Sequence, residues 1–131
     1  MFQVRVNTDF AAAHYLKDYH GKCENLHGHN YKVYAHVQGE SLDNGGMLLD
    51  FGQLKKALKE VCSRLDHTNL NDIPFFEQNP SAERIALYIY NNIIELIPSL
   101  KKTVNDSAYL WAVDVFETDT NRARYIPSFV S

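Results

Sequence analysis

An α+β fold, with a four-stranded antiparallel sheet carrying two helices on one face, is predicted by three features of the sequence. Segments of alternating polarity stand at both ends of the chain, two stretches between them repeat apolar residues at helical spacing, and the elements follow the order strand, strand, helix, helix, strand, strand. The 131 residues, 45% hydrophobic and 22% charged, suit a single domain spanning 1–131 with a continuous core of its own.

The first strand starts at about Phe2, where Phe2, Val4, Val6, Phe10 and Ala12 alternate with polar Gln3, Arg5, Asn7 and Asp9. Continued to its end, this alternation puts His14 on the apolar face. After the loop YLKDYHGKCENL, a second strand from about His27 to Gln38 sets Tyr31, Val33, Ala35 and Val37 on one side, shared with His27 and His29, and Asn30, Lys32, His36 and Gln38 on the other. GESLDNGG supplies turn residues. Asp50 then caps a helix, with Gln53 as its capping-box partner and Leu54, Leu58, Val61, Cys62 and Leu65 as its buried stripe.

DHTNLNDIPFFEQN reads as an irregular connector. The second helix is expected to have Asn79 as cap and Pro80 at its first position, with Glu83 complementing the positive helix start and Ile85, Ala86, Ile89, Ile93 and Ile97 along one face. AYLWAVDVFET is a third strand with Trp111, Val113, Val115 and Glu117 sharing a side, and TDTN turns the chain into a last strand, RARYIP. A sheet this small leaves unpaired edges, which points to a homo-oligomer.

Composition removes several classes of function. A net charge of −3, with 13 Lys and Arg scattered along the chain, provides no basic field for nucleic acid. The opening MFQVRVNTDF has no secretory-signal pattern and no apolar run reaches spanning length, so a soluble cytoplasmic protein without membrane contact is expected. Two cysteines, Cys23 and Cys62, are too few for a disulfide framework.

The chemistry gathers around histidine. On a strand, His27 and His29 point to the same side, and a hairpin brings His14 beside them; three neutral imidazoles with one open position are what a catalytic Zn2+ requires. Any one of them alone would be an ordinary imidazole. Cys23, in a polar loop four residues before His27, is either a reactive thiol whose pKa the site lowers or a fourth ligand closing a structural zinc site. Cys62 lies in a helix stripe and reads as packing. Asp66 and His67 follow the first helix, where a carboxylate can orient an imidazole for acid–base work, or where both are ordinary helix-end residues. Glu117, on an otherwise apolar strand face, needs a partner: a Lys or Arg of the protein, or the amide and amino groups of a pterin or guanine. No HExxH helix is present to support a zinc hydrolase.

FAAAH, CENLHGH, GMLLDFGQLK, LDHTNLND, NPSAERIA and VFET, in this order across nearly the whole chain, resemble the 6-pyruvoyltetrahydropterin synthase superfamily. The three-residue gap between Cys23 and His27 is similar to that of the 6-carboxy-5,6,7,8-tetrahydropterin synthase branch of queuosine (7-deazaguanine) biosynthesis. The resemblance implies a tunnelling fold of ββααββ units, assembled as a homohexamer of two stacked trimers with active sites between subunits. It also implies 7,8-dihydroneopterin triphosphate as substrate and 6-carboxy-5,6,7,8-tetrahydropterin, acetaldehyde and triphosphate as products. In that frame His14, His27 and His29 hold Zn2+, Cys23 transfers the proton, Asp66 and His67 are its relay partners, and Glu117 anchors the pterin. The pyruvoyl-forming synthase is the alternative on the same substrate, and a non-catalytic zinc- or pterin-binding module the alternative of another class.

Overall fold

The computed structural model describes residues 1–16, 25–103 and 107–128. Strand β1 (Phe2–His14) pairs antiparallel with β2 (His27–Gly39) in unbroken register, from Phe2 opposite Gly39 to His14 opposite His27. Helix α1 (Phe51–Ser63) and helix α2 (Ala82–Leu96) follow, then β3 (Tyr109–Thr118), which pairs with β2, and β4 (Asn121–Tyr125), which pairs with β3. The sheet order is β1-β2-β3-β4, all antiparallel, which is the α+β arrangement the sequence predicts.

The helices cover one face of this sheet. Leu54, Leu58 and Val61 of α1 and Ile85, Ile89 and Ile93 of α2 are fully buried with Tyr31, Val33, Ala35, Val113 and Val115 from the strands. Each such aliphatic side chain contributes about 1.5–3 kcal/mol relative to exposure, so the helical stripes and the strand alternation are two halves of one driving force. None of the described helices is long and apolar enough to cross a membrane.

Three local details differ from the sequence expectation. Helix α2 starts later than the Asn79 cap predicts: Ser81 is the cap, its Oγ accepting from the Arg84 N–H, and Pro80 stays outside the helix with its carbonyl committed to His14. The connector is more ordered than its composition suggests. It makes 3₁₀ turns at Leu70–Asp72 and Pro74–Phe76 that bury Leu70 and Phe76 completely.

The third difference is Trp111. A register shift between His36 and Val37 against β3 inserts an extra residue, so Leu110 and Val113 both face the helices while Trp111 turns to the other side, where its ring lies 5.5 Å from that of His36. That opposite face holds a buried polar network. Asp114 accepts from Arg124 Nε at 2.6 Å and Nη2 at 2.9 Å, and its Oδ2 lies 2.7 Å from His36 Nε2, so one carboxylate ties β2, β3 and β4 together.

Candidate metal centre

The pairing of β1 with β2 is what assembles the site. His14 ends β1 directly opposite His27, which starts β2, and His29 follows two residues on with its side chain on the same side. Glu117 arrives from β3, one residue past the Lys32–Phe116 pair. One ligand atom from each of His14, His27, His29 and Glu117 lies within 4.8 Å of all the others. His14 is buried to 1% exposure and the other three are half-buried, so the group is closed on the core side and open on the other.

The hydrogen bonds at the backs of the rings decide where the protons are. His14 Nδ1 lies 3.0 Å from the Pro80 carbonyl and His27 Nδ1 2.6 Å from the Asn25 carbonyl. A carbonyl oxygen only accepts, so both Nδ1 atoms carry hydrogen and donate. In the neutral rings both Nε2 atoms are then bare lone pairs, and they face one another at 3.1 Å. His29 Nε2 is the third imidazole nitrogen of the group. It is buried and makes no hydrogen bond, although Glu117 Oε1 stands 3.1 Å away.

Lone pairs aimed at a common point repel unless a cation occupies that point. Tetrahedral coordination at 2.0–2.1 Å separates neighbouring ligand nitrogens by about 3.3 Å, close to the 3.1 Å between His14 Nε2 and His27 Nε2. The donor set therefore fits a divalent ion of the zinc type, and the carbonyls of Pro80 and Asn25 are the outer partners that fix each ring's tautomer and direction. The Tyr31 hydroxyl, 3.2 Å from His14 Nδ1, closes the core side, and burial raises its pKa well above that of a free phenol.

Protonation favours the same state. Burial lowers the pKa of His14, against the opposing pull of the Pro80 carbonyl and Glu117, and His27 nearby lowers it further. Burial likewise lowers His29, again opposed by Glu117 and assisted by His14 and His27. Neutral imidazole is the form that ligates a metal, so desolvation prepares these rings for an ion.

The remaining sequence candidates fall elsewhere. Cys23 lies outside the described residues. Asp66 and His67 leave the end of α1 and run beside β1: Asp66 Oδ1 accepts from the Ala11 N–H at 2.8 Å, and the His67 N–H donates to the Ala11 carbonyl at 2.6 Å. The two side chains approach to 3.5 Å, His67 Nε2 to Asp66 Oδ2, and the backbone of His67 takes a left-handed φ of 56°. The His67 ring is 84% exposed and outside the group of four, but it shares with His29 the lining of a cleft of about 540 Å3 along β1. Cys62 is buried, its pKa pushed up to about 12 by burial first and by Asp66 and Asp9 next, which agrees with an unreactive packing residue. Sequence reasoning missed the carbonyls of Pro80 and Asn25, since a backbone oxygen carries no residue signature.

Known proteins resemble the chain throughout. The family described as 6-pyruvoyl tetrahydropterin synthase matches residues 3–128. The human protein named 6-pyruvoyl tetrahydrobiopterin synthase is 39% identical over 110 residues, covering 80% of this chain and 70% of that protein. The Bacillus subtilis (strain 168) protein named 6-carboxy-5,6,7,8-tetrahydropterin synthase is 34% identical over 134 residues, covering 96% of this chain and 86% of that one. The structure of the Caenorhabditis elegans 6-pyruvoyl tetrahydropterin synthase superposes with a TM-score of 0.81 at 30% identity, covering 97% and 96% of the two chains. With its four-stranded sheet, two helices and near-complete coverage, the chain belongs to the 6-pyruvoyl tetrahydropterin synthase family and has its tunnelling fold.

Proposed function

We propose that this tetrahydropterin synthase is a zinc-dependent lyase that converts 7,8-dihydroneopterin triphosphate and water to 6-carboxy-5,6,7,8-tetrahydropterin, acetaldehyde and triphosphate, the step that feeds queuosine synthesis. The observation that carries the reading is the convergence of three imidazole nitrogens, two with their tautomers fixed by carbonyls, around a point that also faces a carboxylate. Bacillus subtilis and Synechocystis relatives, 34% and 37% identical, bear the carboxytetrahydropterin synthase name.

In this reading His14, His27 and His29 hold Zn2+, which when bound supplies Lewis acidity to the substrate's side-chain oxygens. Glu117 takes the ring's amide and amino hydrogens through its two carboxylate oxygens, which fixes the side chain against the histidines. Cys23, four residues before His27, removes the proton from the side-chain carbon as its thiolate. His67, oriented by Asp66, returns or removes a proton on the opposite side. Because the His67 ring lies on the surface at the edge of β1, it would serve a neighbouring subunit of a homo-oligomer, with the hexamer of stacked trimers as the assembly.

The human relative favours a second reading, in which the same substrate loses triphosphate to give the pyruvoyl product without side-chain cleavage. One incubation separates the two. Zinc-loaded protein with 7,8-dihydroneopterin triphosphate should give acetaldehyde and a carboxypterin by mass spectrometry; a pyruvoylpterin without acetaldehyde selects the second reading, and unconsumed substrate rejects both in favour of a binding module. His27→Ala should lose bound zinc and turnover together.

A further inference from the structure

Glu117 stands where two demands meet. Its Oε1 lies 3.1 Å from His29 Nε2, within the group of four donors, yet no hydrogen bond to that ring holds it there. The same side chain lines a cavity of about 330 Å3 with Ala82, Glu83, Asn121, Arg122 and Arg124. That volume is at the lower end of the range for small-molecule sites. The carboxylate is thus the wall between the histidines and a ring-sized space, and it is 27% exposed, so it has room to turn. It also sits next to the irregularity between Phe116 and Thr118, where the β3–β4 ladder is interrupted.

We infer that Glu117 has two stations: without pterin it is the fourth donor to the metal held by His14, His27 and His29, and with pterin it turns into the cavity to take the ring. This inference rests on the zinc reading above and deepens it. A carboxylate is an ordinary zinc ligand, and three neutral imidazoles with one carboxylate leave a single positive charge on the centre, less than three imidazoles alone. Four protein donors close the coordination shell against water and stray anions. Recognition of the ring then withdraws one donor and opens one position for the side-chain oxygens. The ring and the metal compete for one carboxylate, so their binding is negatively coupled, and the coupling is reciprocal.

The probe is Co2+, whose visible absorption reports coordination, with unsubstituted pterin as a ring that lacks the reacting side chain. Wild-type protein loaded with Co2+ should change its visible spectrum when pterin is added, and pterin should bind the metal-free protein at least about 5-fold more tightly than the loaded one. Glu117→Gln should bind Co2+ about 10-fold or more weakly in chelator competition, and its spectrum should not respond to pterin. A Glu117→Gln protein with unchanged Co2+ affinity and spectrum overturns the two-station inference and leaves the three-histidine site standing. Failure of the wild type to bind Co2+ overturns the zinc reading itself. If Glu117→Gln does not fold, the wild-type spectrum decides: no response to saturating pterin refutes the switch.

Discussion

Replacing Asp114 by Ala removes the carboxylate that joins three strands, and the structure sets the size of the effect. The side chain is 4% exposed and accepts two hydrogen bonds from Arg124, at 2.6 and 2.9 Å, while His36 lies 2.7 Å away and Arg122 3.9 Å. Hydrogen bonds to a charged group contribute about 1.5–3 kcal/mol each, but they are not additive here, and Arg124 is 27% exposed and recovers water when released. Breaking a buried pair from one side costs about 3–5 kcal/mol, so a loss of about 3 kcal/mol is expected. For a domain of this length that corresponds to a fall in Tm of roughly 10 °C. Urea unfolding at fixed protein concentration should show a lower midpoint with an unchanged slope. The double variant with Arg124→Ala should cost clearly less than the sum of the two single changes, since both break the same contact. A loss below about 1 kcal/mol for Asp114→Ala would refute the argument that this network clamps the sheet.

Acidification should weaken the metal-free protein in a defined window. His36 faces Asp114 from β3, Arg124 from β4 and Arg5 from β1, and its pKa lies below the free value of 6.5 because burial outweighs the hydrogen bond and charge of Asp114. The unfolded chain then binds the proton more readily, so the stability from neutral His36 is fully present above pH 6.5 and is lost as pH falls through the lowered folded value. His14 and His29 act in the same direction, so in EDTA Tm should drop between about pH 7 and 5, less steeply in His36→Gln; a flat profile contradicts this. Leu58→Ala, at a fully buried position of α1, should cost about 2–5 kcal/mol in denaturant titration while metal content stays normal. Cys23→Ala should keep zinc while turnover falls by about 10²-fold or more, and near-normal turnover would remove Cys23 from proton transfer.

Much of this was legible in the sequence because the same residues that build the core set the site. The alternation that buries Val6, Phe10 and Ala12 carries His14 inward with them, and the Tyr31–Val37 alternation does the same for His27 and His29. Period-two patterning thus specifies both a hydrophobic face and the direction of three imidazoles. What was not legible came from events that patterning does not encode. Trp111 changes side because of one extra residue in β3, and the cap of α2 moves to Ser81 because the Pro80 carbonyl is used elsewhere. Glu117 looked like a lone charge needing a partner, and only the β2–β3 register shows that His29 is its neighbour.

The placement of Pro80 shows how the fold and the site depend on each other. Its carbonyl would continue the α2 helix if Asn79 were the cap; instead it turns to His14 Nδ1 and sets that ring's tautomer. Thus α2 is not only a cover for the sheet. By packing Ile85, Ile89 and Ile93 onto the strands it fixes the position of its own N-terminus, and through Pro80 it fixes the direction of the most buried histidine. On the β2 side the carbonyl of Asn25, two residues before the strand, holds His27 Nδ1. Two rings are therefore aimed at each other by backbone carbonyls, that of buried Pro80 before α2 and that of exposed Asn25 before β2, and their lone pairs face at 3.1 Å. Ring orientation that is fixed in advance makes ion binding cheap in entropy and makes the ion-free state locally unfavourable, and both effects come from the backbone carbonyls behind the rings rather than from the histidines themselves.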